Sequence, residues 1–179
     1  MANRLTGALL VGGGSRRFGS PKALARLEGQ TLAERAHTVL AEVCDEVLVV
    51  GKVADRLELP FPVLDDGSEQ RAAIVGVAAA LRFARTELVV VVPTDMPGLT
   101  AAALGALAAA AEGVDAAVPQ TGPLPGAYRR VALSVFEERI AAGELALREA
   151  LAALRVRVVE LDPAVLRNVN VPADLGAAG

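Results

Sequence analysis

The sequence predicts a single α/β domain of the Rossmann-like kind, in which helices cover both faces of a mostly parallel sheet. Short apolar runs of strand length alternate along the chain with longer segments of helical periodicity. A glycine-rich loop directly follows the first apolar run, and aspartates follow two later runs. The length of 179 residues suits one domain with a continuous core, and no linker or repeat divides it. Residues 1–179 are therefore expected to form one three-layer α/β/α domain.

The first apolar run, residues 9–11, leads without a polar spacer into a glycine-rich loop at residues 12–14. Glycines let backbone N–H groups converge on phosphate oxygens, and Arg16, Arg17 and Lys22 add positive charge nearby. The spacing matches neither a Walker loop nor a dinucleotide-binding fingerprint. This loop is predicted to bind a polyanionic phosphate group.

The remaining elements follow in order, and each is bounded by glycine, proline or charged residues. Strands are predicted at residues 46–50, 63–64, 88–92, 115–118 and 156–160, with an irregular strand at 127–130 flanking the site. Helices are predicted from about residue 31, over 71–85, over 100–111, and as a pair within 135–154 that breaks at 142–143.

Two aspartates occupy equivalent places in this pattern. Asp66 comes after the short third strand, and Asp95 comes directly after the most apolar strand of the chain. Ligands of open parallel sheets bind outside the carboxyl ends of the strands. The glycine loop, Asp66 and Asp95 are therefore expected to meet at one edge of the sheet.

Composition excludes several classes of function. A net charge of -3 without a basic run disfavours a nucleic-acid or membrane-surface partner. No apolar run approaches the roughly 18 residues of a membrane span, and no secretory signal is recognisable, so a cytoplasmic location is expected. The single cysteine, Cys44, is predicted to be a buried apolar residue, and the single histidine, His37, a surface residue.

The loop from Leu10 through Gly19, followed by Lys22, resembles the signature Leu-Ala-Gly-Gly-x-x-x-Arg-Met-Gly with its following lysine. That signature is typical of pyrophosphorylase-like nucleotidyltransferases, and the double glycine is most similar to the molybdenum cofactor guanylyltransferase (MobA) family. The segment at residues 168–175 also resembles the family's closing Asn-x-Asn-Thr-Pro-x-Asp-Leu. The resemblance spans nearly the whole chain and implies a fold of the nucleotidyltransferase type.

The resemblance implies transfer of GMP from GTP to the terminal phosphate of molybdenum-loaded molybdopterin, with Mg²⁺ as cofactor and pyrophosphate as leaving group. It also implies transient contacts with proteins that make or accept the molybdenum cofactor. The family pattern assigns nucleotide binding to Leu10, Val11, Gly12, Gly13, Gly14, Lys22, Asp66 and Asp95. It assigns catalysis to Lys22, Arg17 and Asp95, the metal to Asp95, and acceptor binding to Asn168 and Asn170.

Other readings stay open because the chain departs from the family pattern. Val50 and Gly51 stand where the family has a guanine-reading asparagine, and residues 72–76 replace a Gly-Pro-Leu-Ala-Gly segment. A related enzyme could use CTP or another nucleotide on a pterin, sugar phosphate or polyol phosphate. A nucleotide-binding accessory protein without turnover is the alternative from another class.

Overall fold

A computed structural model describes residues 4–12, 21–170 and 172–177. The strands are β1 Thr6–Leu10, β2 Arg26–Leu27, β3 Gln30–Thr31, β4 Glu46–Gly51, β5 Leu64–Asp65, β6 Leu88–Pro93, β7 Ala116–Pro119, β8 Gly126–Arg129 and β9 Val156–Val159. The α-helices are α1 Leu32–Ala41, α2 Ala73–Phe83, α3 Ala101–Ala110, α4 Ala132–Ala141 and α5 Leu147–Ala150. None of the helices in these ranges is long and apolar enough to cross a membrane.

Seven strands form one sheet in the order β5-β4-β1-β6-β8-β7-β9, while β2 and β3 form a separate hairpin. The strands β5, β4, β1 and β6 are parallel to one another, and β7 and β9 also pair in parallel. Only β8 runs against both of its neighbours. The predicted mostly parallel α/β fold is confirmed.

The segment around β8 corrects one prediction. The sequence indicated an irregular strand at residues 127–130 beside the site, but β8 is a regular strand inside the sheet, between β6 and β7. Ala127 and Tyr128 are fully buried there, and the Tyr128 hydroxyl donates a hydrogen bond to the Pro123 carbonyl. The small residues Gly126 and Ala127 and the satisfied hydroxyl of Tyr128 allow this segment to lie in the interior.

The core has two halves, one on each face of the sheet. Alternate residues of β1 face opposite sides: Leu10 packs with α2 and α4, whereas Leu9 packs with α1 and α3. Fully buried side chains such as Phe136 and Leu104 fill the two halves. This arrangement gives the predicted three layers and fixes the carboxyl ends of β1, β4 and β6 side by side.

Local sequence signals set where the helices begin. Thr31 caps α1 through a reciprocal capping box with Glu34, and the Thr100 hydroxyl accepts a hydrogen bond from the Ala103 N–H at the start of α3. α2 begins at Ala73 rather than at Arg71 as predicted, because the backbone of Ala72 is extended. The predicted break at residues 142–143 separates α4 from α5.

Candidate active site

A cleft of about 890 Å³ opens at the carboxyl edge of the sheet, where β1, β4, β5 and β6 end. Six residues predicted from the sequence to bind the nucleotide line it: Leu10, Val11, Gly12, Lys22, Asp66 and Asp95. Gly13, Gly14 and Arg17, which carry the rest of that prediction, lie outside the described residues.

The absence of a side chain on Gly51 lets the ends of β1 and β4 approach each other at the floor of the cleft. The Val11 N–H donates to the Val50 carbonyl at 2.9 Å, which continues the strand pairing up to the glycine loop. A Cβ on Gly51 would stand only 2.8 Å from Cγ2 of Val11, and a Cβ on Gly12 would meet the Gly51 Cα at 3.7 Å. The narrow floor therefore requires glycine at position 51.

Lys22 and Asp95 meet across the mouth of this cleft. The Lys22 ammonium lies 3.6 Å from the Asp95 carboxylate, and both side chains are about a quarter exposed, at 22% and 27%. Lys22 opens a 3-10 helix, Lys22–Leu24, that follows the glycine loop, and Asp95 stands in the turn after β6. The contact brings together a cation suited to phosphate and a carboxylate suited to a divalent metal.

The closing segment of the chain is anchored to the Asp95 turn. The Val169 N–H donates a 2.7 Å hydrogen bond to the Asp95 carbonyl, and the Val169 side chain is buried. Asn168 and Asn170, the predicted acceptor residues, flank Val169 and are exposed. The Asn170 N–H donates to the Asp174 carboxylate at 2.7 Å. Residues far apart in sequence thus stand next to the candidate metal ligand.

Asp66 lies in the same cleft but is paired with a lysine that the sequence reasoning missed. Its Oδ1 accepts hydrogen bonds from the Lys52 ammonium at 2.7 Å and from the Ser68 N–H at 3.0 Å. The two side chains are only 9% and 8% exposed. Lys52 and Lys22 are the only two lysines of the chain, and this rarity was the signal that could have drawn attention to Lys52.

A second ion pair borders the cleft. Arg71 binds Asp55 through two hydrogen bonds of 2.6 and 3.0 Å, and both residues line the cavity. The hydrogen bonds from Arg71 lower the pKa of Asp55, and those to Asp55 raise the pKa of Arg71. The pair remains ionised over the whole physiological range.

The single histidine and cysteine lie away from the cleft. His37 stacks on Phe61 with ring centroids 4.6 Å apart, so it is partly buried rather than the surface residue expected, and burial lowers its pKa. Cys44 is also only partly buried, and desolvation raises its pKa to about 12. Its thiol is therefore protonated and unreactive at neutral pH.

The chemistry of the donor set suits a metal that is completed by its substrate. Within residues 4–12, 21–170 and 172–177, no group of three or more histidine, cysteine, aspartate or glutamate side chains is placed to hold a metal ion. Magnesium needs only one or two carboxylates when phosphate oxygens and water complete its octahedron. Asp95, partly exposed at the cleft mouth beside Lys22, meets that requirement.

Comparison with known proteins shows the family to which this chain belongs. A profile described as the MobA-like NTP transferase domain matches residues 7–158. The chain is 34% identical to a Chloroflexus aggregans protein named probable molybdenum cofactor guanylyltransferase, over 96% of this chain and 91% of the relative. It is 30% identical to a Desulfosudis oleivorans protein named molybdenum cofactor guanylyltransferase, over 97% and 94%.

Solved structures give the same result. Molybdopterin-guanine dinucleotide biosynthesis protein A from Archaeoglobus fulgidus matches with a TM-score of 0.80 at 27% identity, covering 97% of this chain and 96% of that chain. The 2-C-methyl-D-erythritol 4-phosphate cytidylyltransferase of Thermus thermophilus matches with a TM-score of 0.76 at 22% identity, covering 96% and 95%. The second likeness shows the fold alone, whereas the comparisons together confirm the family resemblance carried by the glycine-loop signature.

Proposed function

We propose, from the premise that the chain belongs to the MobA-like NTP transferase family, that it transfers GMP from GTP to the terminal phosphate of molybdenum-loaded molybdopterin. The observation that carries the proposal is the meeting of Lys22 and Asp95 at the mouth of the cleft beyond β1 and β6. Two relatives similar over more than nine tenths of this chain carry the name molybdenum cofactor guanylyltransferase, which supports GTP as donor and the pterin as acceptor.

The reaction needs no general base. A terminal phosphate oxygen of the acceptor attacks the α-phosphorus of GTP, the bond between the α-phosphorus and its bridging oxygen breaks, and pyrophosphate leaves with that electron pair. A phosphate monoester has a second pKa of about 6 and is largely a dianion at neutral pH. Positioning and charge stabilisation then supply the catalysis. No histidine lines the described part of the cleft, which agrees with such a reaction.

Charge in the proposed complex is balanced by residues from different elements. The Lys22 ammonium would bind phosphate oxygens of the donor and stabilise the negative charge that gathers on the departing pyrophosphate. Asp95 would hold Mg²⁺, whose charge polarises the phosphates when it is bound. Arg17, Gly13 and Gly14 retain the roles that the loop signature implies, as phosphate-binding groups of the same loop.

The residues that we propose to bind the acceptor belong to the closing segment of the chain. The Val169 N–H is bonded to the Asp95 carbonyl, so Asn168 and Asn170 flank a residue that is anchored to the Asp95 turn, which supports a role for them on the acceptor side. We assign both asparagines to the pterin acceptor and Asp66 to the donor nucleotide. We further propose that the reaction takes place in the cytoplasm, where GTP is available, with transient contacts to proteins that supply or receive the cofactor.

The test is magnesium-dependent pyrophosphate release from GTP in the presence of molybdenum-loaded molybdopterin. Asp95→Asn keeps the side-chain shape but removes the charge, and turnover is expected to fall by at least about 10²-fold, the scale seen when one group that stabilises a transition state is removed. Glu112→Gln is the matched control, because Glu112 follows α3 at the opposite edge of the sheet and is exposed. Undiminished activity of Asp95→Asn would remove the metal assignment.

A further inference from the structure

The one buried lysine of the described chain, Lys52, forms part of the wall of the cleft. We propose that Lys52 is a positioning residue that sets which nucleobase this cleft accepts. The inference deepens the function proposed above, since it concerns how the donor nucleotide is chosen. Neither its contacts nor its place resembles those of Lys22, which meets Asp95 on the phosphate side.

The hydrogen bonds of the Lys52 ammonium all go to one short segment. Its ammonium donates to Asp66 Oδ1 at 2.7 Å, to the Gln70 carbonyl at 2.8 Å and to the Ser68 carbonyl. An ammonium has three N–H donors, so these three acceptors satisfy it completely. Lys52 therefore cannot act mainly by binding the nucleotide, and its effect must pass through the segment it holds.

That segment, residues 66–72, has neither helix nor strand and connects β5 to α2. It is also held by other hydrogen bonds: the Asp66 N–H donates to the Gly51 carbonyl at 2.9 Å, the Gln70 N–H donates to the Ser68 hydroxyl at 3.1 Å, and Arg71 pairs with Asp55. Without regular hydrogen bonding, a loop takes its shape from such side-chain contacts. Lys52 holds the segment because three of its oxygen atoms, from Asp66, Ser68 and Gln70, all bind the same ammonium group.

The position of this segment bears on the nucleotide because its end lines the cleft. Ala72, Ala73 and Gly76 all border the cavity and offer no polar side-chain atom. Arg71 and Asp55, which also line the cleft, are bonded to each other, so we expect recognition of a base at this wall to use backbone N–H and C=O groups. Bases differ in the order of donors and acceptors along their edges, and a site discriminates between them only when its groups are held to within about 0.5 Å. Loss of Lys52 should therefore reduce the selectivity between nucleobases more than it reduces the overall affinity for nucleotides.

The electrostatic role of Lys52 must be separated from this effect. Removal of Lys52 alone would leave the buried Asp66 carboxylate without its cation, which is destabilising by itself. The informative change is therefore Lys52→Met made in an Asp66→Asn background. In Asp66→Asn alone, the ammonium still holds the carbonyls of Ser68 and Gln70. The difference in nucleotide selectivity between the double variant and Asp66→Asn therefore measures the effect of the Lys52 contacts with the Ser68 and Gln70 carbonyls.

The experiment measures the dissociation constants of GTP, ATP and CTP by calorimetry with Mg²⁺, for the wild type, Asp66→Asn and the double variant. Arg82→Met, which breaks an exposed ion pair with Glu137 on the outer helices, serves as the control. We expect the ratio of ATP to GTP dissociation constants to stay within about threefold of the wild-type ratio in Arg82→Met. In the double variant this ratio should be at least about tenfold lower than in Asp66→Asn alone, as loss of one well-placed base contact would cause.

The outcomes are separable. If the added Lys52→Met change weakens all three nucleotides equally, or none, Lys52 is a structural residue and the inference is wrong. If the wild type prefers CTP or ATP to GTP, the proposed donor is wrong. The role of Lys52 is then supported if the double variant loses that preference relative to Asp66→Asn, and overturned if it keeps it. Thermal unfolding followed by circular dichroism verifies that each variant is folded, and because selectivity is a ratio, it does not depend on the active fraction of the sample.

Discussion

Substitution of Gly51 by alanine tests how the end of β4 shapes the floor of the cleft. The added Cβ would lie 2.8 Å from Cγ2 of Val11, 3.4 Å from Cγ1 of Val63 and 3.5 Å from the backbone nitrogen of Gly12. Val11 is 6% exposed, and valine is restricted at χ1, so it cannot swing away. The strain must be relieved by moving the backbone of β1 or β4 where the glycine loop begins.

Overpacking of this kind costs about 1–3 kcal/mol. Taking about 2 kcal/mol and a urea m-value of about 2 kcal/mol/M, the midpoint of unfolding should fall by about 1 M. The affinity for GTP should fall as well, because the displaced residues lead directly into the glycine loop that we propose to bind phosphate. Urea denaturation followed by circular dichroism gives the stability, and calorimetry gives the affinity.

Gly105→Ala is the matched control. Gly105 lies in the middle of α3, and a Cβ there would meet no atom within 4 Å. Alanine in a helix interior should therefore raise stability by about 0.5–1 kcal/mol and leave GTP binding unchanged. If Gly51→Ala were as stable as the wild type, or gained stability as Gly105→Ala does, the argument that glycine is required at the floor of the cleft would be refuted.

Three further changes test the packing and electrostatics. Phe136→Ala removes a fully buried ring and should lower the unfolding free energy by about 3–5 kcal/mol, measured by denaturant titration. Lys52→Met should lower the unfolding free energy by about 3–5 kcal/mol, because it leaves the Asp66 carboxylate buried and unpaired. Adding Asp66→Asn should restore most of that stability. If the single and the double variant were equally stable, the interpretation of Lys52 and Asp66 as a buried ion pair would be contradicted. Hydrogen bonds from Arg155 lower the pKa of Asp115 in the folded protein. The ionised carboxylate therefore stabilises the fold at pH values above its unfolded-state pKa of about 3.9. This stabilisation is lost as the pH falls through the lower pKa of the folded state. Arg155→Met should therefore lower the melting temperature at pH 7 more than at pH 2, and an equal loss at both pH values would count against the linkage.

The sheet and the position of the cleft were accessible from the sequence because they follow from local patterns. The apolar run of β6 and the glycines after β1 mark strand ends, and parallel strands bring their carboxyl ends together. Asp66 and Asp95 could be predicted as cleft residues for that reason, without knowledge of any contact. Their roles in binding and catalysis remain predictions.

Other features could not be predicted because they depend on pairing between distant segments. The entry of β8 between β6 and β7 is decided by strand order, which periodicity does not encode. Lys52 was missed for a similar reason: two of its three partners are backbone carbonyls in a loop, and carbonyls leave no pattern in a sequence. The anchoring of Val169 to Asp95 is likewise a backbone contact across 74 residues of chain, from 95 to 169.

The most direct test of the account follows the α-phosphorus itself. GTP labelled at the α-phosphorus is incubated with the protein, Mg²⁺ and molybdenum-loaded molybdopterin, and the products are separated and counted, with labelled CTP in a parallel reaction. The account predicts that label from GTP appears in a pterin dinucleotide, in equal amount to the pyrophosphate released. Label that reaches the pterin only from CTP, or never leaves the nucleotide, would contradict it.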